Sequence, residues 1–214
     1  MNEKAIMHRQ EDVETDLEGH RLISDELLFR WYNDSYSTSK HLLALYSVAR
    51  GLRARSIVEV GFGRSTFVLA RAAAENEGRF VTCDNRDFQY LLSSEERSVT
   101  DYKLGFSNLV WSDETLNRVG IDMAFLDYFS SEEVDPQFVK SELKQCIALL
   151  KTNAVIAVHD VFVDRYSVGK ALRSLCRWNR HLEYSVLPYN YGLGLIRYTG
   201  PSKYGMISES WTKQ

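Results

Sequence analysis

The sequence predicts a single α/β domain on a doubly wound sheet of about seven strands, mostly parallel, with an antiparallel C-terminal hairpin. Three observations predict it. Short, near-continuous apolar runs alternate with segments of helical period, the pattern of a parallel sheet covered on both faces. The last two apolar runs follow one another with no helix between them, which argues an antiparallel pair at one edge. A chain of 214 residues, 44% hydrophobic and 26% charged, has the size and composition of one ordinary globular domain.

The elements follow in order. Residues 1–19 are charged and weakly patterned and read as a tail, or as a lid that orders on binding. A helix starts near Ser24, a suitable N-cap, with Asp25 and Glu26 in its first turn and Leu27, Leu28, Trp31 and Tyr32 on one side. Asn33-Asp34-Ser35 breaks it. A second helix runs from Thr38 to Arg50 and ends at Gly51. Residues 1–36 are therefore a tail and helical lid, and residues 37–214 the main domain. Strands are expected at Ser56–Val60, Arg79–Cys83, Ser107–Trp111, Ile121–Leu126 and Ala154–Val158, and a closing pair at Tyr184–Leu187 and Gly194–Tyr198. Helices are expected at Ser65–Glu75, Pro136–Leu150 and Val168–Trp178. There is no internal repeat or linker.

Composition excludes several classes. A formal charge of −3 gives no electrostatic case for nucleic acid. No apolar run reaches the length of a membrane span. Met1–His8 has no secretory apolar core, so the cytoplasm is the expected compartment. Cys83, Cys146 and Cys176 form no Cys-x-x-Cys pair, so zinc and redox motifs are absent. The expected partner is a small molecule, and a homo-oligomer is compatible with the sequence.

The stretch Ile57-Val58-Glu59-Val60-Gly61-Phe62-Gly63-Arg64-Ser65-Thr66 carries the most chemistry. An apolar strand runs into an acid, a glycine turn and the first turn of a helix, whose N–H groups are free. Dinucleotide sites want Gly-x-Gly-x-x-Gly under a pyrophosphate. Here the third position is Thr66, and Glu59 would repel a pyrophosphate but suit a cation or an ammonium group.

Glu59-x-Gly61-x-Gly63-Arg64-Ser65-Thr66 resembles the first motif of class I S-adenosylmethionine-dependent methyltransferases, closest to the small-molecule O-methyltransferase branch (methyltransferase family 24-like). Leu187-Pro188-Tyr189-Asn190-Tyr191-Gly192-Leu193-Gly194-Leu195 resembles the hairpin before that branch's last strand, and the resemblance spans Thr38 to Tyr198. It implies a Rossmann-like sheet and a cofactor with a sulfonium and an amino-acid tail, lying beside the glycine turn.

In an open α/β sheet ligands bind beyond the carboxyl ends of the strands, near the point where strand order reverses. The first strand delivers Glu59, Gly61, Gly63, Ser65 and Thr66 there; Ser65 and Thr66 also suit helix capping. Asp84 ends the second strand and suits a pair of ribose hydroxyls. Ser112 and Asp113 follow the expected third strand, where the resemblance implies an adenine site, with Phe88 or Trp111 as candidate faces for the ring. Asp127, His159 and Asp160 end the fourth and fifth strands and are the catalytic candidates. Trp31, Tyr32, Tyr36, Tyr189, Asn190 and Tyr191 are expected around the substrate.

Two mechanisms fit the last group. Asp127, His159 and Asp160 hold a divalent metal, magnesium or manganese, which lowers the acceptor hydroxyl's pKa. Alternatively, His159 is a general base oriented by an aspartate. Catechol-type enzymes of the family place an Asp-Asn pair after the fifth strand and a lysine soon after the fourth. Here Val161 follows Asp160, and Tyr128-Phe129-Ser130 follow Asp127. Related antibiotic-modifying enzymes carry two adjacent acids after the fifth strand, of which His159-Asp160 is a variant. Methyl transfer to a hydroxyl oxygen is the leading expectation. A nicotinamide-dependent oxidoreductase and a catalytically degenerate methyltransferase fold acting as a binding subunit are the alternatives.

Overall fold

The computed structural model describes residues 26–127 and 135–206. The expected tail, the Ser24 cap and Tyr128–Ser130 lie outside the described residues.

Seven strands form one sheet in the order β3-β2-β1-β4-β5-β7-β6. They are β1 (Ser56–Val60), β2 (Arg79–Asp84), β3 (Thr100–Leu104), β4 (Ile121–Leu126), β5 (Leu150–Val158), β6 (Leu182–Leu187) and β7 (Leu193–Tyr198). The first five are mutually parallel, and β7 pairs antiparallel with both β5 and β6. The expected sheet and its closing hairpin are present. Strand order reverses between β1 and β4, which puts the ligand crevice of such a sheet over Val60–Gly61 and Asp127.

The helices are α1 (residues 26–33), α2 (Leu42–Gly51), α3 (Arg64–Glu75), α4 (Ser94–Val99), α5 (Asn108–Trp111), α6 (Glu114–Val119), α7 (Pro136–Ala148) and α8 (Val168–Trp178), with a 3-10 turn at Ser37–Lys40 before α2. Strand alternation sorts the core into two layers. Val58, Val60, Ala124, Leu126, Ile156 and Val158 meet Val139, Leu143 and Cys146 of α7 and Val168, Ala171 and Leu172 of α8. Ile57, Phe80, Met123, Phe125 and Ala157 meet Leu45 and Ala49 of α2 and Leu69, Ala70, Ala72 and Ala73 of α3. Glu59 and Thr82 share the parity of Ile57 and Phe80, so both belong to the α3 side.

The third strand is a correction. Residues Ser107–Trp111 do not form it. Thr100–Leu104 pairs with β2 instead, and Asn108–Trp111 is a short helix. The physical reason is position. As the sheet edge, β3 has one partner strand and only half-buried or exposed residues, so it carries polar Thr100, Asp101 and Lys103 in place of an apolar run. The apolar Val110 and Trp111 are buried as helix, with the Trp111 indole donating to Glu142 at 3.0 Å. Trp111 is thereby a core residue.

Strand β5 starts four residues earlier than its apolar run. Lys151, Thr152 and Asn153 precede Ala154, with Asn153 left-handed at φ 70°, and Lys151 ion-pairs with buried Asp122 at 2.8 Å.

Candidate functional site

Gly61 (φ 98°) turns the chain at the end of β1 and donates its N–H to Cys83 of β2 at 3.0 Å. Only glycine takes that backbone angle without strain. Gly63 precedes α3 with no atom within 4 Å of where a side chain would begin, so the space over its backbone is open. Thr66 closes the turn, its hydroxyl receiving the Gly63 N–H at 2.9 Å.

Glu59 lies beneath this turn with no exposed surface. Ser65 donates to one carboxyl oxygen at 2.6 Å, and Thr66 and Thr82 donate to the other at 2.5 and 2.9 Å. Burial pushes its pKa up to about 8 against the pull of the three hydroxyls. Glu59, Ser65 and Thr66 thus form a buried knot that shapes the turn. Asp84 fastens the turn from the other side, accepting the Phe62 N–H at 3.1 Å and the Arg86 N–H at 2.9 Å. Phe62 itself packs against Phe67, Phe88 and Tyr102.

The segment before α2 is clasped to the same turn. Arg64 opens α3 and ion-pairs with Asp34, its guanidinium carbon 3.6 Å from the Tyr36 ring centroid. Asp34 also accepts from Tyr36 N–H at 3.0 Å and Ser39 hydroxyl at 2.8 Å. Partial burial opposes its ionisation, but these donors and Arg64 hold it down at about 2.

Asp127 follows β4 and continues its ladder, N–H to Val60 O at 3.0 Å; His159 follows β5 and does the same, N–H to Leu126 O at 3.0 Å. Those two bonds fix the backbones that bring Asp127 and His159 together. His159 Nδ1 lies 3.1 Å from Asp127 Oδ1 and 3.1 Å from Asp160 Oδ1. One N–H serves one acceptor. Asp127 takes it, and buried Asp160 Oδ1 is left without a hydrogen-bond donor. Asp160 is left-handed at φ 60°. One ligand-type atom from each of the three residues lies within 4.8 Å of the others. Burial disfavours charge at His159, but Asp127 and Asp160 outweigh it and push its pKa up to about 9. Burial likewise opposes ionised Asp127, and His159 and Thr38 hold it below the usual carboxylate range.

Two residues in this cluster carry no motif. Thr38 donates its hydroxyl to Asp127 Oδ2 at 2.8 Å. His41 is fully buried, stacked on Tyr189 (centroids 4.8 Å apart) and edge-on to His159 (5.2 Å). Burial, then repulsion from His159, lowers its pKa to about 4. The signal for His41 is periodicity: His41, Leu45 and Ala49 make one buried stripe, and an imidazole on a core stripe needs a reason.

Ser112 and Asp113 stand elsewhere. With β3 reassigned, they join α5 to α6. Asp113 caps α6 through Leu116 N–H at 2.8 Å and pairs with Lys103 of β3 and with Arg79, the first residue of β2. Ser112 donates to Asn108 O. The residues that leave the carboxyl end of β3 are Gly105, Phe106 and Ser107, which the shifted strand assignment concealed. Of the expected substrate residues, Tyr189 reaches the site through His41, Asn190 donates to Ser37 O at 3.3 Å, and Tyr36 covers Arg64. Trp31 and Tyr32 pack edge to face on each other, 41% and 75% exposed, and Tyr191 is 57% exposed.

A polar cleft at the amino-terminal edge, lined by Arg50, Arg55, Glu75, Glu77, Asp122 and Lys151, offers no comparable chemistry. Arg50 pairs with Glu75, Arg55 with Glu77 and Lys151 with Asp122.

Residues 58–161, from β1 to just past β5, match the family model of a methyltransferase domain. Over these residues the chain is similar to methyltransferase domains. Solved structures share the fold. The O-methyltransferase TomG from Streptomyces achromogenes, involved in tomaymycin synthesis and solved with S-adenosylmethionine, is 22% identical over 76% of this chain and 81% of its own, with a TM-score of 0.60. The Bacillus cereus O-methyltransferase solved with S-adenosylhomocysteine is 17% identical over 83% and 88%, TM-score 0.56. The methyltransferase from Podospora anserina, also bound to S-adenosylhomocysteine, is 18% identical over 82% and 88%, TM-score 0.58. No curated protein sequence matches the chain. Among the described residues, no helix is long and apolar enough to cross a membrane.

Proposed function

We propose that this protein transfers the methyl group of S-adenosylmethionine to a hydroxyl oxygen of a small molecule, with a divalent ion held by Asp127, His159 and Asp160. The observation that carries the ion is buried Asp160 Oδ1, which has no donor although two further ligand-type atoms lie beside it. A carboxylate oxygen hidden from water that accepts no hydrogen bond is costly, and a cation is a partner its chemistry suits.

The residues divide the work. The open backbone at Gly63, beside the Gly61 turn, receives the cofactor's amino-acid end, over the knot of Glu59, Ser65 and Thr66. Asp84, at the end of β2, faces the ribose. Asp127 stays ionised and, through Thr38, ties the acceptor side to the segment clasped on the glycine turn. Held between two carboxylates, His159 keeps its proton near neutrality, which disfavours it as a general base and makes the ion and that proton competitors for one site. When bound, such an ion lowers the acceptor hydroxyl's pKa and fixes its orientation for in-line attack.

The test is methyl transfer from labelled S-adenosylmethionine to a panel of catechols and hydroxylated sugars, with manganese or with chelator. Labelled product is expected with manganese only, and Asp127→Asn is expected to lower the rate by about 100-fold or more. Transfer that survives both chelation and Asp127→Asn refutes the site.

A further inference from the structure

His41 is a buried group without an assigned task. Its side chain is fully buried, and neither ring nitrogen has a hydrogen-bond partner among the described residues. A histidine that serves only to fill a core normally bonds through at least one nitrogen. This one bonds through none, and it is firmly held. Its N–H donates to Thr38 O at 2.9 Å and its carbonyl accepts from Leu45 N–H at 2.9 Å, so the 3-10 turn and α2 fix its backbone from both sides. Tyr189 covers one face of its ring, and the His159 ring stands against it at 71°.

We infer that His41 is a fourth ligand of the ion site, which makes the site two imidazoles and two carboxylates and selects a first-row transition ion over magnesium. The inference rests on the ion-site reading above. The His41 and His159 ring centroids are 5.2 Å apart, so His41 stands next to the ion's donors. The other three donors have compatible spacing: both aspartate oxygens lie 3.1 Å from His159 Nδ1, the separation of neighbouring donors on a single ion. His41 stands beside this triangle rather than inside it, so a side-chain rotation draws its nitrogen in. Magnesium takes oxygen donors and keeps its waters, so each nitrogen donor counts against it and favours manganese, iron, cobalt or zinc.

Titration of the full chain with Co(II), followed by its visible absorption and by competition with Mg(II), tests this. The wild type is expected to bind one Co(II) that excess Mg(II) does not displace. His41→Ala and the closer-sized His41→Gln are expected to weaken Co(II) by about tenfold or more and to alter its absorption. Both variants are first checked for wild-type circular dichroism, and the Gln variant carries the test if the Ala variant does not fold. Wild-type affinity and absorption in the folded variant overturn the part given to His41 and leave the three-residue site standing. Ready displacement of wild-type Co(II) by Mg(II) overturns the selectivity. A wild type that binds no Co(II) overturns the ion site itself, and His41 with it.

Discussion

Glu59 lies under the glycine turn with no exposed surface, and three hydroxyls, from Ser65, Thr66 and Thr82, surround its two oxygens. Burial wins over those donors, so the group titrates at about 8 in the folded protein against an ordinary 4.5. The sign of the consequence follows from linkage. Between those pH values the folded state keeps a proton that the unfolded state has released, so Glu59 stabilises fully below pH 4.5 and progressively less as pH rises towards 8. Glu59→Gln has no proton to lose. Urea unfolding should show the variant gaining on the wild type by roughly 2–4 kcal/mol from pH 5 to pH 8. Stability curves that run parallel across that range would refute the assignment. On the function proposed above, the cofactor would arrive over this residue, and its occupancy and the protonation of Glu59 would then be coupled through the turn they share.

At the scale of elements, the β6–β7 turn shows how a connection can build part of a site. Tyr189 of this turn stacks on His41, and Tyr191 O and Gly192 O receive the N–H groups of Phe162 and Val161, just past His159 and Asp160. Gly192 has φ 78°, and a side-chain carbon there would stand 2.7 Å from both Phe162 and Val161. Gly192→Ala is therefore expected to cost about 1–3 kcal/mol in thermal or urea unfolding and to loosen the Tyr189 stack. A variant as stable as the wild type would show that the turn has room the geometry denies. Elements also decide what can be read from sequence. Strands β1 and β4 are buried on both faces, so their apolar runs mark their bounds. Edge strand β3 is polar because half of it meets water, and the apolar Val110 and Trp111 next to it belong to a helix. That single exchange placed Ser112 and Asp113 on the rim in expectation, while the fold ties Asp113 to the start of α6 and to Arg79 and Lys103.

For the whole molecule, parallel topology makes the site legible. Five parallel strands end on one rim, so Gly61, Asp84, Asp127, His159 and Asp160 converge although up to 99 residues separate them. Thr38 and His41 escape that rule because they precede the first strand and reach the rim by folding over it. The same topology yields a prediction about ligands. A crevice at the β1–β4 reversal with open backbone at Gly63, an acid beneath the turn and Thr66 in place of a third glycine suits a cofactor without phosphate and offers a pyrophosphate little. A ligand that binds only the folded state stabilises it by about 2.7 kcal/mol at a hundredfold excess over its Kd. For a chain of this size each kcal/mol moves the melting temperature by about 2–4 °C. S-adenosylhomocysteine at saturation should therefore raise Tm by roughly 5–10 °C, with NAD at equal concentration leaving it unchanged. Asp84→Ala should shrink the shift, since the Asp84 carboxylate fastens the turn and, on the proposed function, takes the ribose. Stabilisation by NAD alone would return the crevice to the dinucleotide class, and an undiminished shift in Asp84→Ala would remove that residue from the cofactor's contacts.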